Sequence, residues 1–180
     1  MKALGIMGSP RKGGNTSILL SETMEVLGKE LEIEIINVVD YKIKPCVSCR
    51  ECLHGGKCII KDEMFYDKLL EAQVIVIASP VYFGDITGQL KIALDRTWCL
   101  RGKLTGKAGG SIVVGRRYID GALAMLNTFF LRHGMILNSR GVVGYAEERG
   151  EIRDDHTAIN DAHRLGESIL WLLANMKQIS

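Results

Sequence analysis

Residues 74–78 read Val-Ile-Val-Ile-Ala, between Gln73 and Ser79, with no polar position to turn toward water. A half-exposed strand alternates apolar and polar residues, whereas an unbroken apolar run of this length suits a strand covered on both faces. That segment demands helices above and below a sheet, and the rest of the chain offers them. Strand-like segments fall at 2–8, 32–39, 109–115 and 136–145, and helical patterns at 16–31, 62–72, 87–98 and 121–133. Ile18, Leu19, Met24 and Leu27 form the apolar stripe of the first helix, and Asp62 is placed to cap the second. A last helix starts at Asp154 or Asp155 and carries Ile159, Ala162, Leu165, Ile169, Leu172, Leu173 and Met176 at three- and four-residue steps. Strands alternating with helices give an α/β fold with a doubly wound parallel sheet. The chain's 180 residues, 47% of them hydrophobic, suffice for one compact domain spanning 1–180. No repeat or linker interrupts it; only the Gly/Lys-rich stretch 99–107 fits neither element type.

A formal net charge of +2 calls for neither nucleic acid nor an acidic membrane surface. No apolar run approaches the ~20 residues that span a bilayer. The opening Met-Lys-Ala-Leu-Gly-Ile-Met lacks the length and cleavage site of a signal peptide, so the expected location is cytoplasmic. In a reducing compartment, clustered cysteines act as ligands more often than as disulfides.

Open α/β sheets bind ligands beyond the carboxyl ends of their strands. After the first strand comes Gly-Ser-Pro-Arg-Lys-Gly-Gly-Asn-Thr-Ser, residues 8–17. Ser9, Arg11, Asn15, Thr16 and Ser17 combine hydroxyls, an amide and a cation at a helix N-terminus, a composition suited to phosphate. A polar turn with Asn15 or Thr16 as N-cap would look similar. Neither the nucleotide P-loop nor the Gly-x-Gly-x-x-Gly fingerprint is present, so a phosphate monoester fits better than a pyrophosphate. After the third strand, Pro80 stiffens the turn, Val81, Tyr82 and Phe83 offer apolar surface, and Gly84 allows close backbone approach. That mixture suits a planar heteroaromatic ring, although an aromatic pair capping the core is the plainer alternative. Gly115 and Arg116, with Arg117 and Tyr118, follow the fourth strand as a third wall.

Gly8-Ser9-Pro10-Arg11-x3-Asn15-Thr16, Ser79-Pro80-Val81-Tyr82-Phe83-Gly84 and Gln89-Leu90-Lys91-x3-Asp95-Arg96 together resemble the NAD(P)H-dependent FMN reductases of the flavodoxin-like superfold. The resemblance implies a five-stranded sheet of order 2-1-3-4-5. It also implies FMN, with its phosphate in the 9–17 loop and its isoalloxazine near 80–84. The third loop departs from the glycine-rich form common in that family.

Residues 45–58, Pro-Cys-Val-Ser-Cys-Arg-Glu-Cys-Leu-His-Gly-Gly-Lys-Cys, follow the second strand and space their thiols as Cys46-x2-Cys49-x2-Cys52-x5-Cys58. Structural zinc sites usually split their ligands into two pairs separated by about a dozen or more residues. Three thiols at consecutive x2 spacings, with Gly55-Gly56 bending the chain toward a fourth, suit the separated corners of a [4Fe–4S] cubane. Zinc, a disulfide and free thiols are the other readings. A reductase-like domain with this motif after strand 2 resembles the iron–sulfur flavoproteins of anaerobic archaea and bacteria. That resemblance implies electron transfer, a homodimer or homotetramer, and ferredoxin as a donor beside NAD(P)H.

Cys99, next to Trp98, reads as a packed thiol and His54 as a solvated loop residue, while His133, His156 and His163 have no partners at ligand spacing. No Gly-x-Ser-x-Gly elbow occurs, and no side chain is singled out as catalytic. The expected function is an electron-transfer oxidoreductase working between a [4Fe–4S] cluster and bound FMN. The rivals are an NAD(P)H-dependent FMN or quinone reductase with structural zinc, and a flavin-binding sensor of iron or redox state.

Overall fold

The computed structural model describes residues 1–176. Its five parallel strands are β1 (Lys2–Met7), β2 (Glu32–Asn37), β3 (Val74–Pro80), β4 (Ala108–Gly115) and β5 (Val142–Tyr145). They lie in the order β2-β1-β3-β4-β5, as expected. The central strand β3 shows why its apolar run has no gaps. Val74, Val76 and Ala78 point into one hydrophobic core, Ile75 and Ile77 into the other, and all are at 0% exposure. Burying each such valine or isoleucine contributes about 1.5–3 kcal/mol.

Helices α1 (Asn15–Leu27) and α6 (His156–Met176) cover one face, where Leu19, Met24 and Leu27 meet Ala162, Leu165 and Ile169. The short helices α2 (Cys52–Gly55) and α3 (Tyr66–Glu71), with α4 (Gly88–Arg96) and α5 (Ile119–Arg132), lie between the remaining strands. Leu69, Leu90, Ala93 and Phe130 from the last three fill the second core. The side chain of Met176, expected on the apolar stripe of α6, lies outside the described residues. Among the described residues no helix is long and apolar enough to cross a membrane.

Four differences from the sequence expectation have identifiable physical reasons. The first helix ends at Leu27, where Gly28 takes over as C-cap, and does not continue to Leu31. The fifth strand starts at Val142 and not at Ile136, which keeps a single bridge to Ala108; Gly141, at φ +101°, separates the two. The stretch 99–107 becomes a 3-10 turn over Thr97–Leu100 followed by turns that deliver Lys107 beneath α3. Its Nζ donates to the carbonyls of Leu69 (3.0 Å) and Ala72 (2.5 Å), capping the negative end of that helix.

The fourth difference matters most. Asp62 caps no helix, and α3 starts only at Tyr66. Its carboxylate instead accepts from Arg96 at the end of α4, Nη1 to Oδ2 at 2.5 Å and Nη2 to Oδ1 at 3.2 Å. The two side chains are 0% and 3% exposed. Burial pushes the Asp62 carboxyl up, but the Arg96 bonds, the Lys44 N–H and the Arg96 charge outweigh it and hold it below its ordinary 3.8.

Removing one partner of a buried pair strands the other charge, so Asp62→Ala is expected to destabilise the metal-free protein by about 3–5 kcal/mol in urea unfolding at neutral pH. A loss under about 1 kcal/mol would assign the pair no more than the value of a surface contact. Because the folded pKa is depressed, the stabilisation is complete above the unfolded value of 3.8 and disappears as pH falls through the lower folded value. The native chain should therefore lose stability faster than Asp62→Asn over that acid window.

Candidate functional site

At the carboxyl end of β1 the chain is fastened before it loops. The Gly8 N–H donates to the Ala78 carbonyl (2.8 Å), and the Thr87 hydroxyl donates to the Gly8 carbonyl (2.6 Å) while accepting from Leu90 N–H (3.3 Å) as the N-cap of α4. Ser9 Oγ accepts from the Arg11 N–H at 3.1 Å, curling the loop. Helix α1 then begins behind Gly14, and no side chain caps it. The N–H groups of Asn15 and Thr16 and the positive end of the helix dipole are therefore offered to an external anion, while the Ser17 N–H is bonded to the Gly14 carbonyl (3.0 Å).

Ser9, Arg11, Asn15 and Thr16 meet Pro80, Val81, Tyr82, Gly115 and Arg116 around one cavity of about 240 Å³. A second cavity of about 490 Å³ is walled by Val81, Phe83, Gly84, Arg116, Arg117 and Tyr118. Val81 and Arg116 belong to both, so a polar chamber at the helix end adjoins a flatter aromatic one. Together they fall within the ~300–1,000 Å³ typical of cofactor sites. Ser17 is not brought to either: its hydroxyl donates to the Gly14 carbonyl at 2.7 Å and it faces a separate cleft with Ser21 and Arg153.

The aromatic wall is a tight turn. Tyr82 and Asp85 exchange backbone bonds (2.8 and 3.1 Å) across Phe83 at φ +53° and Gly84 at φ +83°. Two consecutive left-handed residues define a type I′ turn, which explains the glycine. A Cβ on Gly121 would come within 2.3 Å of the Gly84 carbonyl, so the start of α5 packs directly against the turn. Phe83 at its tip is fully exposed and Tyr118 largely so.

One wall was missed by sequence reasoning. The segment after β5 closes the polar chamber with Ala146, Glu147 and Arg149. Asn15 holds it there: its Nδ2 donates to the Glu148 carbonyl (2.7 Å) and its Oδ1 accepts from the Gly150 N–H (2.7 Å). The side-chain amide of Asn15 is thus committed to protein, which leaves its backbone N–H for a ligand. Arg149 Nη2 donates to the Lys12 carbonyl (3.0 Å), and Arg116 pairs with Glu147 (2.9 Å). The available signal was position, since this segment also leaves the carboxyl end of a strand.

The cysteine loop lies at the other end of α4. Cys46, Cys49, Cys52 and Cys58 ring a cavity of about 550 Å³ whose far wall is Arg96, Trp98 and Cys99. Cys46 and Cys49 are exposed, Cys52 and Cys58 half-buried, and all are free thiols. Gly56, at φ +64°, ends α2 and turns the chain toward Cys58. The Ser48 N–H already donates to Cys46 Sγ at 3.4 Å. Among the described residues no three His, Cys, Asp or Glu donors converge as a group for one metal ion; the thiols are distributed around a volume.

Cys58 and Cys99 differ in chemistry. Burial pushes the Cys58 thiol up, but the Ile60 N–H, the Tyr66 hydroxyl and the Arg96 cation overcome it, and Cys58 lies below the ordinary 9.0. Burial pushes Cys99 above that value, with Tyr66 only partly opposing. Cys99, expected from sequence as a packed thiol, is packed, yet it reaches the cavity wall. Of the histidines, buried His133 shares a 2.9 Å bond with Thr97 Oγ1 and His163 pairs with Glu22 at 2.7 Å.

Residues 1–149 match the family described as NADPH-dependent FMN reductase. The chain is 34% identical over 193 residues to an iron–sulfur flavoprotein of Methanocaldococcus jannaschii, covering 99% of this chain and 100% of that one. It belongs to the NADPH-dependent FMN reductase family, among its iron–sulfur flavoproteins. Its fold is that of RosB bound to 8-demethyl-8-formylriboflavin-5'-phosphate (TM-score 0.79, 20% identity, 100% of this chain and 81% of that one). An archaeal flavodoxin shares it as well (TM-score 0.60, 14% identity, 94% and 96%). Flavin-linked oxidoreduction is therefore the chemistry of this chain, and the paired chambers fit FMN, with an anion site beside an aromatic wall.

In metal-free, reduced protein at mildly alkaline pH, iodoacetamide should modify Cys58 well before Cys99, which should stay protected until the protein is denatured. Peptide mass analysis reads the order, and labelling of Cys99 at the rate of exposed Cys46 would show that the wall is open.

Proposed function

We propose that this protein passes electrons between a [4Fe–4S] cluster ligated by Cys46, Cys49, Cys52 and Cys58 and FMN bound in the paired chambers. The observation that carries this reading is the arrangement of four free thiols around one cavity at the far end of the helix that starts beneath the flavin loops. Helix α4 has 9 residues, so its ends are about 13 Å apart. The name of the Methanocaldococcus relative supports the same reading.

When bound, FMN exchanges one or two electrons and a cluster one, which is the redox chemistry the chain itself lacks. The chain's residues bind and orient. Arg11, with the N–H groups of Asn15 and Thr16, balances the phosphate dianion, and Ser9 adds a hydroxyl. The 80–84 turn, with Tyr82 and Phe83, would hold the ring, and Arg116, which lines both chambers, would bound it. The N–H groups around the cysteine loop, Ser48 among them, donate to ligating sulfur. Ferredoxin or NAD(P)H serves as electron donor in this reading. The protein works in the cytoplasm as a homodimer or homotetramer whose carboxyl-end loops lie at an interface.

Replacing Arg11 with Ala should weaken FMN binding by about one to two decades, since a charge-assisted bond to phosphate is lost. Riboflavin should bind poorly to both proteins in a flavin-fluorescence titration. Equal affinity of the native protein for riboflavin and FMN would sink the phosphate assignment.

Cys49→Ser should lose or degrade the cluster while flavin absorbance largely survives, because hydroxyl oxygen is a poor, hard substitute for thiolate on iron. Reduction by a one-electron donor should then fail, and chemical reduction of the flavin should persist. Cys99→Ser should keep both cofactors. One zinc and no sulfide per chain after strictly anaerobic purification would replace this reading with the zinc-containing reductase.

A further inference from the structure

Arg96 has more donors than its ion pair uses. Nη1 donates to the Lys44 carbonyl (2.6 Å) and to Asp62 Oδ2 (2.5 Å), and Nη2 to the Ile60 carbonyl (3.3 Å) and Asp62 Oδ1 (3.2 Å). Those four contacts use all four terminal N–H groups and lock the plane of the guanidinium. The fifth donor, Nε–H, is buried and has no partner. A buried cationic N–H left unpaired is costly and rare, and calls for an explanation. Here the residue carrying it forms part of the wall of the cysteine cavity, with Cys58 and Cys99 beside it.

We infer that the Nε–H of Arg96 is reserved for the sulfur of Cys58, packed beside it in the same wall, once that sulfur ligates the group bound in the cysteine cavity, and that its fixed charge helps to set that group's reduction potential. The inference rests on the cluster reading above. The Cys99 thiol is engaged with the Arg96 carbonyl at 3.4 Å, and the Tyr66 hydroxyl also reaches that carbonyl, at 3.2 Å. Reduction adds one electron, supplied by a reduced low-potential iron–sulfur donor, and no bond forms or breaks. Guanidinium does not release a proton, so the step moves charge without a proton from this residue. A cation and an N–H···S bond favour the more negative, reduced state and raise the potential. Arg96 is thus a positioning and tuning residue. Lysine in its place would keep the charge and lose the Nε donor.

The test uses holoprotein purified anaerobically after growth on [15N]arginine. Pulsed EPR of the reduced cluster should show 15N coupling. The coupling should vanish in Arg96→Lys and survive in Arg50→Lys, which removes the exposed arginine on the same cavity. In an EPR-monitored redox titration, Arg96→Lys with native iron and sulfide should have a more negative midpoint potential than the native protein, with FMN retained. A purely structural Arg96 predicts altered stability with an unchanged potential and no coupling. Native protein with full iron and sulfide but no 15N coupling overturns the inference and leaves the cluster reading intact, as does coupling lost in Arg50→Lys. An unchanged potential in cluster-replete Arg96→Lys also overturns it. Should Arg96→Lys fail to fold, the labelled native and Arg50→Lys proteins decide the matter. Native protein without sulfide overturns the cluster reading first, and this inference with it.

Discussion

The buried pair of Arg96 and Asp62 decides whether the cysteine loop exists as a structure. Residues 46–51 carry little that could pack: Cys46, Val47, Ser48, Cys49, Arg50 and Glu51 are all exposed. The loop is defined at its base, where Arg96 reaches the Lys44 carbonyl on one side and Ile60 and Asp62 on the other. Closing a loop of this length carries an entropic cost that grows only slowly with length, and the clasp offsets it together with the Lys42 N–H bond to Glu63 (2.8 Å) and the Lys103 bond to the Gly56 carbonyl (3.1 Å). A buried ion pair is stabilising relative to a broken one because its hydrogen bonds are complete. Four of the five arginine donors meet that condition within the protein.

Helix α4 transmits this clasp to the other site. Its N-cap, Thr87, is bonded to Gly8 at the end of β1 and to the Leu90 N–H, and its last residue is Arg96. Leu90 and Ala93 seat the helix in the core at 0% exposure. About two and a half turns of packed helix therefore space an anion-binding loop from a ring of thiols. A displacement at either end has to move the core with it, because interiors are close-packed. The spacing between the anion-binding loop and the thiols is then a property of the fold.

Much of this was legible in the chain because it depends on local pattern. The apolar run 74–78, the period of α6 and the thiol spacing each predict an element or a cluster with no knowledge of distant residues. The strand order followed from resemblance. What escaped was the choice of polar partners across the fold. Asp62 has the look of a helix cap, and only the tertiary position of Arg96, 34 residues away, redirects it. Asn15 has the look of a phosphate ligand, and its amide is claimed by Glu148 and Gly150. Ser17 sits one helical step too far round and bonds its own Gly14. Cys99 stands apart in sequence and meets the other thiols only because Thr97–Leu100 turns back as a 3-10 segment. Hydrogen-bond valence is satisfied globally, and a linear pattern does not contain that information.

Backbone strain marks the same two regions. Among the described residues the non-glycine positions with positive φ are Ser48 and Arg50 in the cysteine loop, and Phe83 and Tyr118 beside the aromatic chamber. Each such conformation costs on the order of 1–3 kcal/mol and persists only where its surroundings over-determine it. Phe83 is fixed by the backbone bonds of the 82–85 turn and by the start of α5 behind Gly84. Tyr118 is fixed as the residue entering that helix. Ser48 is turned so that its N–H meets Cys46 Sγ. The sheet and its two cores contain none of these strained positions. Stability generated by the unstrained frame is thus offset at the loops, where it orients an N–H toward sulfur and presents an aromatic ring to solvent at the mouth of the flavin chamber.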